Sequence, residues 1–270
     1  MKDIYIKTYL ESSYNPFIDA VSDNYILSTK KVVETHKREK YLSHKKAIIC
    51  GNVIEIINYS TAVSYGIENN FVKNNKKGVC ADKREDNISR AKNNLRRLIN
   101  TNSGSKDSFL TLTYADNVYD VKKCKVDLKR FVQALKRHLG ISMKYCYVVE
   151  FQKRGALHFH IILFDVPKIS LFVLKASWPH GTIHINRINK VDNVGAYVVK
   201  YMSKELVDDR LKGHDLYGRS RLNLLEPTIL THEKEVSALE DLYLNNKVYQ
   251  KTYESEFLGL VTYTQYNLKR

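Results

Sequence analysis

His158 and His160 flank Phe159 in the run Leu157 to Phe164, and this segment constrains the fold more than any other. Side chains alternate across a β-strand. His158, His160, Ile162 and Phe164 therefore share one face, and Leu157, Phe159, Ile161 and Leu163 share the other. Tyr145 to Phe151 reads as a preceding strand, joined through the turn Lys153-Arg154-Gly155. A three-residue loop with Gly155 at positive φ pairs residue 150 with 158 and residue 148 with 160. Glu150 then stands beside His158 on the histidine face. A two-residue turn would shift the register by one and carry Glu150 away from it.

Two imidazoles and a carboxylate make a three-ligand set with open positions. Such a mixed nitrogen and oxygen set suits Mg²⁺ or Mn²⁺ when water and a phosphate oxygen complete the shell, and imidazole favours Mn²⁺. The competing reading is a strand that carries its histidines for packing or hydrogen bonding. His180 and His184 lie on a nearby segment, with His184 expected to face solvent or nucleic acid.

Past the histidine strand comes Tyr197-Val-Val-Lys-Tyr201-Met-Ser-Lys204. A helix is expected from Asn193, as N-cap, to Leu206. Residues four apart share a helical face, so Tyr197 and Tyr201 lie together with Lys200 and Lys204 at the edge. A phenol near pKa 10 is a weak nucleophile at neutral pH. A lysine and a polarised phosphate remedy that, and attack on a phosphodiester leaves a phosphotyrosine and a free hydroxyl. The competing reading is a helix whose Tyr and Lys merely extend from the edge of a core.

The surrounding elements give an α+β fold. Asp82 to Asn100 reads as a helix with Ile88, Ala91, Leu95 and Leu98 inward and a basic outer surface. Then follow a strand at Phe109–Tyr114, a helix from Asp120 to Leu139, the hairpin, a short helix at Ser170–Trp178, a strand at Thr182–Ile188 and the tyrosine helix. This β-α-β-β-α-β-α order implies a central antiparallel sheet with flanking helices. Two short strands about Gly51-Asn52, a helix at Glu233–Leu244 and a last strand at Phe257–Tyr266 lie outside that series, while Arg219 to Leu224 reads as irregular.

Charge points to the partner. The chain carries 44 Lys and Arg against 29 Asp and Glu, and the excess falls entirely within residues 1–200. Basic surface interleaved with tyrosine, of which there are 19, suits single-stranded nucleic acid. Cys50, Cys80, Cys124 and Cys146 are dispersed, without CxxC spacing, and are expected to be reduced thiols in a cytoplasm. Met1 to Leu10 lacks the apolar centre of a secretory signal, and no membrane span is expected.

Taken together, Phe109-Leu-Thr-Leu-Thr-Tyr114, Glu150 with His158-Phe159-His160, and Tyr197 to Lys204 resemble the three motifs of the HUH endonuclease superfamily, in order. They are most similar to two-tyrosine rolling-circle replication initiators of small phages and plasmids. The resemblance covers about 82–206. It implies an RRM-like or palm-like antiparallel sheet with the histidine strand central and the tyrosine helix across it. It further implies a nickase and ligase acting on single-stranded origin DNA through a 5′-phosphotyrosine, with Tyr201 for initiation, Tyr197 for the second transfer, and Glu150, His158 and His160 holding the metal. On this reading 82–206 is the catalytic core, 1–81 an N-terminal extension and 207–270 a C-terminal extension that completes the fold or recognises the origin. No GxxxxGK[ST] run is present, so strand separation is expected from a host helicase in a bacterial cytoplasm. The alternatives are an HUH relaxase or transposase, and a non-catalytic protein that binds single-stranded DNA on an RRM-like sheet.

Overall fold

A computed structural model describes residues 40–66, 82–152, 154–188, 190–202, 209–211, 213–221 and 224–270. In chain order the elements are β1 (Tyr41–Cys50), β2 (Val53–Tyr65), α1 (Asp82–Asn102), β3 (Ser108–Tyr114), α2 (Val121–Leu139), β4 (Lys144–Phe151) and β5 (Leu157–Phe164). They continue with α3 (Leu171–Ser177), β6 (Gly181–Arg187), α4 (Val194–Val199), β7 (Tyr217–Arg219), β8 (Thr228–Leu230), α5 (Glu233–Leu242), β9 (Lys247–Ser255) and β10 (Gly259–Asn267). The chain divides into two compact units, 79–227 and 228–270 with 1–78.

The unit of 79–227 is built on an antiparallel sheet of order β6-β3-β5-β4-β7, with β5 at its centre. Every residue of β5 is buried. Its nearly unbroken apolar run reflects helices on both faces of the sheet. Leu110, Leu112, Phe159, Ile161 and Leu163 point to one side, where they meet Leu128, Phe131 and Leu135 of α2, Leu174 of α3 and Trp178. Phe109, Cys146, Val148, Ile162 and Phe164 point to the other, against Leu95, Leu98 and Ile99 of α1 and Val194 and Val198 of α4. The expected order of strands and helices from Phe109 onward is the one observed.

Helix ends follow local chemistry. The Asp120 carboxylate accepts from the amides of Lys122 and Lys123 at the start of α2, and Gly140 closes its end at φ +64°. Asn193 caps α4 as expected, accepting from the Ala196 amide at 3.0 Å. The helix expected from Asn193 to Leu206 is, however, shorter than its pattern. It is α-helical only to Val199 and tightens to a 3-10 turn over Lys200–Met202, while residues 203–208, Lys204 among them, lie outside those described. A terminal 3-10 turn is a common way for a helix end to satisfy its last carbonyls. The segment beyond it also contributes more than was read there: Tyr217–Arg219 pairs with Cys146–Val148 as the outer strand β7.

The second unit is an antiparallel sheet of order β8-β1-β2-β10-β9, with α5 against one face. Gly51 takes φ +61° in the expected turn between β1 and β2. Val236 of α5 packs on Ala47, Ile54, Ile56 and Tyr266. The last strand is where the pattern placed it, but its hairpin partner β9 was not anticipated.

Candidate active site

The hairpin between β4 and β5 sets the geometry. Gln152 N–H donates to the Ala156 carbonyl and Gly155 N–H to the Gln152 carbonyl, each at 2.8 Å, which closes the loop of residues 153–155. Gly155 sits at φ +98°, where a side chain would be strained. The register that follows pairs Glu150 with His158 and Val148 with His160. Glu150, His158 and His160 therefore share one face of the sheet, joined from β3 by Thr111 opposite His160 and Thr113 opposite His158. Arg154 ties the loop to the end of β3 by donating to the Tyr114 and Ala115 carbonyls and to the Asn117 side chain.

His160 is held at both ring nitrogens. Its Nε2 lies 2.6 Å from Glu150 Oε2 and its Nδ1 3.2 Å from the Thr111 hydroxyl. A carboxylate can only accept, so Nε2 carries the proton, and in the neutral ring Nδ1 accepts from Thr111. His158 is the opposite case. Its Nε2 is buried with no hydrogen-bond partner among the described residues. Burial, and then the charge of His160, push its imidazole down to about 4, so the ring is neutral at neutral pH. A buried, unpartnered ring nitrogen costs roughly 1–3 kcal/mol.

Donor types and burial fit a divalent ion, with the His158 Nε2 lone pair as the clearest vacant ligand. Their arrangement is less complete. Among the described residues no group of three or more His, Cys, Asp and Glu side chains is placed to hold a metal ion. The histidine rings are 6.3 Å apart, and Glu150 and His160 share a proton through the atoms that would otherwise share a cation. His180 is turned to the opposite face, 3.7 Å from Asp127 and against Trp178, whereas His184 is exposed in the row of Thr111 and His160.

The two tyrosines arrive from α4 and its 3-10 extension. Tyr201 lies flat on His160, with ring centroids 3.8 Å apart and planes 19° apart. Phe109 of β3 fills the floor between them, its centroid 5.9 Å from His160, 5.7 Å from Tyr201 and 5.3 Å from Tyr197. Tyr197 stands nearly perpendicular to Tyr201 at 6.0 Å. A hydrogen bond to Tyr201, reinforced by burial, holds the Tyr197 phenol above its ordinary range, and Lys200 opposes that. The Lys200 ammonium sits 3.9 Å from the Tyr197 ring centre and 5.0 Å from that of Tyr201.

Residues 107–206 match a family model of replication-associated proteins, the ORF2 type. The matched stretch starts just before β3 and takes in both histidines, Glu150 and both tyrosines. It fits a rolling-circle replication initiator. No curated protein and no solved structure gives a significant match.

Two supports of the site carry no motif. Thr111 was legible only as one more residue of a strand, although alternation places it on the same face as Phe109. Asn100 of α1, buried, donates to Asn193 Oδ1 at 3.0 Å and accepts from the Gly195 amide at 2.6 Å, which pins the start of the tyrosine helix. An asparagine within a helical pattern signals nothing of that kind by itself.

Proposed function

We propose that this chain nicks single-stranded origin DNA and rejoins it, as a metal-dependent initiator that starts and ends rolling-circle replication. The observation that carries the reading is the stacking of Tyr201 on His160. It brings a phenol onto the imidazole–carboxylate face of the sheet, which a core-edge tyrosine has no need to reach. Glu150, His158 and His160 would hold the ion, which when bound withdraws charge from the scissile phosphate.

The chain's own groups account for the rest. The Tyr201 oxygen attacks phosphorus and loses its proton; the phosphorus–O3′ bond breaks and the 3′ oxygen takes up a proton. Lys200, over both rings, favours the phenolate. The ester retains the energy of the broken bond, so a later 3′-hydroxyl can displace Tyr201 and reseal the strand. Tyr197, keeping its proton in the hydrogen bond to Tyr201, is the reserve nucleophile for the second transfer. A separate helicase supplies the single strand.

The test is incubation with single-stranded origin oligonucleotides and Mn²⁺, followed by a denaturing gel and peptide mapping. A covalent adduct on Tyr201 or Tyr197 is expected. An adduct that persists in the Tyr197→Phe, Tyr201→Phe double variant would refute the assignment. One observation favours a second reading, a non-catalytic single-strand binder: Glu150 and His160 satisfy each other without an ion. That reading requires binding indifferent to chelators and DNA that stays uncut.

A further inference from the structure

The sheet of the second unit has two unlike faces. α5 covers one of them, and with it come Glu233, Glu235, Glu240 and Asp241. Glu240 pairs there with Lys45 and accepts from Asn58 at 3.0 Å. The register assigns the residues of the other face. Lys46, Ile57, Tyr263 and Lys251 form one row across it, and Tyr59, Val261 and Tyr253 another. Tyr249 stands in a third row with Gln265 and Glu55. That glutamate is only 1% exposed. Glu254 points to the α5 side by alternation. Acidic side chains are thus segregated onto one face, and the exposed part of the opposite face carries tyrosine and lysine.

On the outer strand β9 this becomes a ledge. Tyr249 and Tyr253 are 49% and 47% exposed, and Lys251 between them is exposed as well. The three alternate along one face, which spaces the two rings about 13–14 Å apart with the ammonium midway. Tyr263 buttresses Tyr249 from β10, centroids 6.2 Å apart in an edge arrangement. Two half-exposed rings with a cation between them match the repeat of an extended strand, whose bases stack while its phosphates pair.

We infer that this β9 ledge is a second binding surface for single-stranded DNA, formed by Tyr249, Lys251 and Tyr253 and indifferent to base identity. It does not depend on the nicking chemistry proposed for the other unit. The full chain is titrated with fluorescein-labelled oligothymidylate in EDTA and followed by anisotropy. The Tyr249→Ala, Tyr253→Ala double variant should bind about tenfold more weakly or worse, and Phe at both positions should restore binding. The solvent-facing Lys251→Glu variant tests the surface without touching the core, and should weaken binding while lowering its salt dependence. Ultraviolet crosslinking of an iodouracil-substituted strand should label Tyr249 or Tyr253. Covalent adduct formation at saturating oligonucleotide should be unchanged in these variants, which separates this surface from the nicking site. Unaltered affinity in both the double alanine variant and Lys251→Glu, with no crosslink on β9, overturns the inference. A change in sedimentation without a change in affinity also overturns it, and assigns the ledge to a second copy of the chain.

Discussion

Tyr201 rests face to face on His160, at 3.8 Å between ring centres, while the same imidazole is gripped by Glu150 and Thr111. A phenol, an imidazole and a carboxylate are thereby linked across three elements, α4 with its 3-10 extension, β5 and β4. The position of the Tyr201 ring is set by the stack and by Phe109, and neither contact requires its hydroxyl.

Replacing Tyr201 by Phe should therefore leave folding intact and remove chemistry. Thermal stability is expected to stay within about 0.5 kcal/mol of the parent. The rate of covalent adduct formation should fall by roughly a hundredfold or more, with the residue carried by Tyr197. Quenched-flow gels and peptide mapping decide it. An undiminished adduct on another residue would sink the nucleophile assignment.

Metal binding should depend on His158, although no described residue hydrogen-bonds its Nε2. Alanine there is expected to weaken Mn²⁺ binding in calorimetric titration by at least about tenfold. EDTA should abolish cleavage and leave single-strand binding in place. If Mn²⁺ binds the His158→Ala variant as it binds the parent, the ion lies elsewhere.

Gly195 is where α4 approaches α1 most closely. A Cβ there would meet the Arg96 carbonyl oxygen and come within 2.9 Å of Asn100 Oδ1. Gly195→Ala is expected to cost about 1–3 kcal/mol. It should also slow adduct formation, because the displaced helix carries Tyr197. Urea melts and adduct rates of this variant, set beside a substitution at exposed Ala196, test both halves. A melt identical to the parent's would show that the two backbones can part freely.

Asp107 gives stability a pH dependence remote from the site. Burial lifts its carboxyl from 3.8 to about 6, against the amides of Asp165 and Gly104 that donate to it. A raised folded-state pKa means that the native chain holds more protons than the unfolded one between those values. Stability from this group is thus fullest below about pH 4 and declines as pH rises through 6, by on the order of 3 kcal/mol in total. Asp107→Asn should flatten that slope in urea melts between about pH 4 and 7, values chosen to bracket the titration. An unchanged slope would assign the effect to other groups.

Much of the catalytic unit was legible because its signals are local. Alternation from Leu157 to Phe164, with Gly155 three residues ahead of His158, sufficed for the register that seats Glu150 beside the histidines. Asn193 announced the start of its helix. The helix's early tightening at Lys200 was not legible, because Val198 and Met202 keep the apolar spacing of a continuing helix. β7 and β8, at three residues each, are too short to display a period. β9 hides for another reason: with all but its last residue exposed, it has no apolar side to repeat. The pairing of β2 with β10 joins segments some two hundred residues apart, and nothing in either segment names the other.

Reactive side chains often hang from loops that rearrange easily. Here both imidazoles belong to β5, the middle strand of five, laddered on each side and covered above and below. Its amides should be among the last in the molecule to exchange with deuterium. An enzyme anchored so deeply is retuned from its periphery, through whatever changes on the neighbouring strands and helices, while the imidazole spacing stays as invariant as the sheet itself.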